Sequence, residues 1–96
     1  MTRHEVLATL SNYLRAHERE HGILRLGVFG SAARDQLRDD SDIDVVVELS
    51  RPDLFALVGI KRELEKLLRR KVDIVRYRER MSNFLKQRID RDAVFV

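Results

Sequence analysis

Residues 42–49 read Asp-Ile-Asp-Val-Val-Val-Glu-Leu and constrain the backbone more than any other stretch of the chain. Three consecutive valines suit a pleated strand. Successive strand side chains alternate between faces, so Ile43, Val45, Val47 and Leu49 share one side, while Asp42, Asp44, Val46 and Glu48 share the other. An isolated buried carboxylate is costly unless it is neutralised, hydrogen-bonded or metal-bound. The apolar face must therefore pack, and Asp42 and Asp44 point together toward an open side.

Neighbouring patterns place the remaining elements. Thr2-Arg3-His4-Glu5 has capping-box form, and Val6, Leu7, Leu10, Tyr13 and Leu14 follow at helical spacing before Gly22. This predicts a first helix over about residues 3–20. Ile23 to Phe29 is short, rich in apolar residues and closed by Gly30, which reads as a strand. Ser50-Arg51-Pro52-Asp53 again has capping-box form, and Leu57, Ile60, Leu64, Leu67 and Leu68 make the stripe of a helix running to about Arg70. Residues 71–75 read as a third strand, with Val72 and Ile74 on one face and Asp73 on the other. Ser82 can cap a last helix through Phe84, Leu85 and Ile89, leaving Ala93-Val94-Phe95-Val96 as an apolar tail.

Strands interleaved with helices predict an α/β (α+β) arrangement: a small mixed β-sheet with helices packed mainly on one face. The face carrying Asp42, Asp44 and Asp73 is then expected to stay comparatively open. The chain has 96 residues, which suits one domain over residues 1–96 with one modest core. No apolar run approaches the roughly 18 residues of a membrane span, and the N-terminus lacks a signal-peptide pattern. With no cysteine there is neither a disulfide framework nor thiolate chemistry. The expectation is a cytoplasmic protein without membrane contact.

The net charge of +3 is mild, but residues 61–91 are basic while residues 39–44 are acidic. The basic third could attract nucleic acid, a nucleoside triphosphate or an acidic protein face. Interspersed glutamates favour a solvated helix face with i,i+4 pairs such as Glu65 with Arg69. Nucleic acid therefore stays open as a partner and does not follow from charge.

Two carboxylates on one strand face have Cβ atoms roughly 6–7 Å apart and can lean together on one or two divalent cations. Hard oxygen donors suit Mg²⁺ or Mn²⁺, whose remaining ligands are waters and phosphate oxygens. Asp73, on a neighbouring strand, could complete such a site and accept a proton from an attacking hydroxyl. Gly30 and Ser31 follow directly on the first strand. There a glycine lets the backbone approach a phosphate, and N–H groups with a serine hydroxyl can cradle its oxygens. Ser31-Ala32-Ala33-Arg34 looks like the first turn of a short helix, from which Arg34 could reach phosphates. Taken singly, each of these pieces is commonly a turn, a solvated loop or an edge-strand charge; Asp39 and Asp40 are read as loop solvation.

Together they resemble a known family. Gly30-Ser31, ten residues, then Asp42-Ile43-Asp44 matches the GS-x10-DxD signature of the nucleotidyltransferase superfamily with the DNA polymerase β-type fold. Asp73 matches its third acid. Length and element order resemble the minimal (MNT, or MntA-like) nucleotidyltransferases, and the resemblance spans nearly the whole chain. It implies that Gly30 and Ser31 hold the terminal phosphates of ATP. It implies further that Asp42, Asp44 and Asp73 ligate Mg²⁺ or Mn²⁺, and that Asp73 helps deprotonate the acceptor hydroxyl. The chain departs from the common Gly-Ser-x-Ala-Arg-Gly pattern at Asp35, which puts the loop geometry and nucleotide affinity in question.

By the same resemblance, the expected function is AMP transfer from ATP to a tyrosine of a partner HEPN ribonuclease toxin, with the chain acting as its antitoxin. The alternatives are a non-catalytic antitoxin that neutralises by docking, through apolar positions such as Phe84, Phe95 and Val96, or nucleotidyl transfer to a small molecule or nucleic acid. No residues are left over for an acceptor-binding domain, so a partner is expected to present the acceptor. His4, His17 and His21 are the remaining titratable candidates. His17 and His21 have the i,i+4 spacing of a zinc pair but no evident acidic ligand, so they are expected to be solvent-exposed.

Overall fold

A four-stranded mixed sheet separates two unequal apolar layers in the computed structural model, which describes residues Met1–Val96. The elements run α1 (Arg3–His21), β1 (Ile23–Phe29), α2 (Gly30–Ala33), β2 (Ile43–Leu49), α3 (Leu54–Leu68), β3 (Val72–Arg76), α4 (Asn83–Asp92) and β4 (Val94–Phe95). The predicted capping box closes α1: the Glu5 N–H donates to the Thr2 hydroxyl at 3.2 Å and the Thr2 N–H to Glu5 Oε1 at 3.0 Å. Gly22 ends the helix in the left-handed region at φ 67°, where a Cβ would stand 2.6 Å from Ser50 Oγ.

Three local expectations shift. The cap of α3 is Asp53, whose side chain accepts from the Ala56 N–H at 3.1 Å, so Pro52 precedes the helix instead of opening it. Arg69 turns left-handed after Leu68, and Glu65 bonds the Val72 N–H at 3.0 Å, tying the helix end to β3. The C-terminal tail is a strand, with Gly27 opposite Phe95 and Val28 opposite Val94. It lies so close that a Cβ on Gly27 would be 2.5 Å from the Val94 carbonyl oxygen.

The sheet order is β3-β2-β1-β4, antiparallel except for the β2–β3 pair. On the larger side, Val6, Leu10 and Tyr13 of α1 and Ala56, Ile60, Leu64 and Leu68 of α3 pack on Leu26, Val28, Ile43, Val45 and Val47. This matches the face assigned by alternation. The aspartate face is less open than expected, because α4 crosses it. Ile89 seals Phe29 and Val46, with Val75, Tyr77, Leu85 and Phe95 around them. Val46 is fully buried on the same strand face as Asp44. Arg25 continues this layer, stacked over Tyr77 and Phe95 and paired with Glu48 at 2.8 Å.

The histidines depart most from expectation. Glu63, projecting from α3, meets His21 Nε2 at 3.1 Å and accepts from the Tyr13 hydroxyl at 2.9 Å. His21 is thereby left with only 14% of its side chain exposed. The acid partner lay 42 residues away in sequence, out of reach of any spacing rule.

Truncation of Ile89 should uncover Val46 and Phe29 without touching the larger core. Ile89→Ala is expected to cost about 2–3 kcal/mol, measured by urea unfolding, with the sheet retained by circular dichroism.

Candidate active site

Strand pairing brings three distant segments to one end of the sheet. The antiparallel register sets Phe29 opposite Asp44, and the parallel register sets Asp44 opposite Asp73. Asp42 lies one residue before β2. Asp42 and Asp73 are exposed, whereas Asp44 is half-buried between the other two strands. α4 covers the neighbouring Val46 and stops short of sealing the carboxylates.

The electrostatics follow from this placement. Burial, then the charge of Asp73, and with it that of Asp42, hold the Asp44 carboxyl above its ordinary value, against the opposing pull of Arg88 and Arg34. Like charges gathered on a part-buried face are unfavourable for the bare protein and favourable for a bound cation. The donor set is all carboxylate oxygen, which fits a hard divalent ion.

Gly30 is built against this group. Its φ is 66°, and a Cβ there would fall 2.3 Å from Asp44 Oδ2, so neither the backbone nor the space admits another residue. Ser31 follows in the single turn of α2, its carbonyl accepting from the Gln36 N–H at 2.8 Å. Beside it opens a wholly polar cleft of about 680 Å³ lined by Ser31, Gln36, Arg38, Asp40 and Ser41. Asp40, read from sequence as loop solvation, thus lines the cleft next to Ser31.

Arg34 is exposed, and its guanidinium is held by Asp92 of α4 at 3.0 Å and by Gln36 at 3.3 Å. The structure therefore brings Arg34 near the carboxylates while already giving it a partner. Arg88 is the residue that the sequence patterns did not single out. It lies over the Phe29 ring at 5.5 Å, next to the Gly30–Asp44 contact, and pulls on Asp44 more strongly than Arg34 does. Its place in the stripe Leu85-Arg88-Ile89 put it on the sheet-facing side of α4, which was the available signal.

The Asp35 departure has a structural answer. Asp35 adopts φ 57°, the left-handed conformation that explains a preference for glycine here and that aspartate tolerates better than most residues. Its Oδ1 accepts the Arg3 N–H at 2.8 Å in the first turn of α1, while Arg3 Nη1 reaches the Ala33 carbonyl at 3.1 Å. The carboxylate is thus engaged by the start of α1.

Comparison with known proteins agrees with this arrangement. Residues 10–96 match the model of the nucleotidyltransferase domain. A candidate protein adenylyltransferase of Methanocaldococcus jannaschii is 41% identical over 80% of this chain and 83% of its own length. The protein adenylyltransferase MntA of Thermococcus cleftensis is 30% identical over 94% of this chain and 95% of its own. Among solved structures, a candidate minimal nucleotidyltransferase superposes with a TM-score of 0.79 at 33% identity, covering 98% of this chain and 95% of that one. The fold also recurs, at 23% identity and a TM-score of 0.63, in a complex of a tri-AMPylated Shewanella oneidensis HEPN toxin with an MNT antitoxin. That match covers 88% of this chain and 66% of the other.

The crowding of Asp44 predicts a stability cost. Because its carboxyl titrates above the unfolded value, the folded state is penalised at neutral pH and relieved as pH falls through the folded value. Asp44→Asn should raise metal-free stability at neutral pH by about 0.5–1 kcal/mol, a few degrees in Tm, and the gap to the parent should shrink in acid. Gly30→Ala should cost at least about 2 kcal/mol. Thermal unfolding across pH in the presence of a chelator reads both.

Proposed function

The chain belongs to the nucleotidyltransferase domain family, and from that premise we propose that it is a metal-dependent protein adenylyltransferase. In this reading it moves AMP from ATP to a hydroxyl of a partner protein, a tyrosine of a HEPN toxin, and acts as that toxin's antitoxin. The observation that carries it is the convergence of Asp42, Asp44 and Asp73 beside the Gly30–Ser31 turn, where β2 and β3 pair in parallel. The likeness to the MntA adenylyltransferase and to the antitoxin of the AMPylated complex supports the same reaction and the same kind of partner.

The chemistry assigns each group a task. Gly30 lets the turn close against Asp44, so that its backbone lies beside the carboxylates where a phosphate would bind, and Ser31 donates its hydroxyl to the terminal phosphates. Asp42, Asp44 and Asp73 would hold Mg²⁺ or Mn²⁺, which supplies charge neutralisation of the triphosphate and eases deprotonation of the acceptor. Asp73, exposed on the strand beside Asp44, takes the proton from the acceptor hydroxyl. The acceptor oxygen bonds to the α-phosphorus, the bond from that phosphorus to the bridging oxygen breaks, and pyrophosphate leaves. Arg88 and Arg34 contribute positive charge beside the phosphates, with Arg34 able to exchange its Asp92 contact for them.

Docking supplies the acceptor. Phe84 is 72% exposed and Val96, which follows β4, is exposed too, so both remain available as contacts, whereas Phe95 is half-buried against Gly27 and Arg25. Pure docking remains the competing reading, and it differs in one measurable quantity, the mass of the partner.

With ATP and Mg²⁺, the co-purified HEPN partner should gain mass in AMP steps, and chelation should stop the gain. Asp42→Asn with Asp44→Asn should lower the transfer rate at least about 10³-fold while leaving complex formation intact by gel filtration. Neutralisation without any added mass would sink the enzymatic reading. Ser31→Ala should raise the KM for ATP more than it lowers kcat, because it removes a contact to the phosphates made in the ground state as well.

A further inference from the structure

On the opposite side of the sheet from the aspartates, α1 and α3 bring together a second group of donor atoms. His17 and His21 occupy successive turns of α1, and Glu63 faces them from α3. One ligand atom from each lies within 4.8 Å of the other two. Glu63 Oε1 is 3.1 Å from His21 Nε2, and Glu63 Oε2 is 4.0 Å from His17 Nε2. Donors around a tetrahedral ion with bonds of about 2.1 Å stand roughly 3.4 Å apart, so small side-chain rotations would close the set. We propose that His17, His21 and Glu63 form a binding site for a borderline divalent transition-metal ion, Zn²⁺ in the first instance, distinct from the aspartate site.

The surroundings match what such ions require. Imidazole nitrogens with one carboxylate are borderline donors that favour Zn²⁺ over Mg²⁺. Two of the three ligands have an outer partner that fixes their orientation. Glu20 bonds His17 Nδ1 at 2.9 Å, leaving Nε2 as the free donor, and the Tyr13 hydroxyl donates to the Glu63 carboxylate at 2.9 Å. The Tyr13 and His17 rings stack at 4.4 Å, which fixes the imidazole plane.

His17, His21 and Glu63 are all partly exposed, which gives an ion a route in and leaves a fourth position to water.

The test is titration of the metal-free full chain with Co²⁺ and Zn²⁺ in excess Mg²⁺, so that the aspartate site is saturated with the harder ion. One Co²⁺ per chain is expected, with the intense visible bands of a four-coordinate ion, displaced by Zn²⁺, together with a rise in Tm on Zn²⁺ addition. His17→Gln, His21→Ala and Glu63→Gln should each weaken binding by more than about 100-fold, and Tyr13→Phe by about 10-fold. His17→Gln and Tyr13→Phe keep the helix and ring shapes, so their loss of affinity cannot be ascribed to unfolding, which circular dichroism monitors. Absence of a stoichiometric ion in the parent, or equal affinity in the variants, overturns the proposal and leaves the cluster as a latch between α1 and α3.

Discussion

Everything at the candidate active site depends on the two neighbours of β2. β1 runs antiparallel on one side and delivers the Gly30–Ser31 turn, while β3 runs parallel on the other and delivers Asp73. Asp44 sits where these registers meet. A slip of one residue in either ladder would turn Asp44 or Asp73 toward the helix layer. The buried run Val45-Val46-Val47 resists such a slip, because it is packed from both faces. The hydrophobic interior thus fixes the register, and the register fixes the carboxylates.

The same arrangement explains why the site is strained and still persists. Three acids at one sheet end repel each other, and desolvation of Asp44 adds to the cost. The core beneath is unaffected by that charge, since Ile43, Val45 and Val47 point the opposite way into the layer formed by α1 and α3. A destabilised group on a well-packed strand is the usual condition of a site shaped for binding more than for rest. Gly30 belongs to the same compromise: a backbone conformation poor for other residues is accepted because it lets the phosphate-side turn touch Asp44.

α4 gives the aspartate face its limits. It buries Val46 under Ile89, sets Arg88 beside Phe29 and Gly30, and holds Arg34 through Asp92. One helix therefore supplies a roof, a cation and a tether, while the exposed Phe84 on its outer side remains free for contact. The two histidines near the end of α1 are held in the same manner by a different helix, where Glu63 of α3 reaches across the interface.

How much could be read without coordinates follows from distance along the chain. Alternation in residues 42–49 assigned the packed and polar faces, the helical stripes located α1 and α3, and Gly30-Ser31 with Asp42, Asp44 and Asp73 marked the candidate site. The faces and stripes are local patterns, set by backbone periods of 2 and 3.6 residues, whereas the grouping of Gly30-Ser31 with the three acids rested on the resemblance to the nucleotidyltransferase signature. Contacts across the sequence were beyond such patterns. The roof of α4 over Val46, the role of Arg88, the engagement of Asp35 by α1, the tail strand beside Gly27 and the meeting of His21 with Glu63 all join segments tens of residues apart. The sequence by itself determined which residues could share a face and what chemistry that face could support. Only the tertiary structure decided which faces meet, because that choice is made by packing the whole core at once.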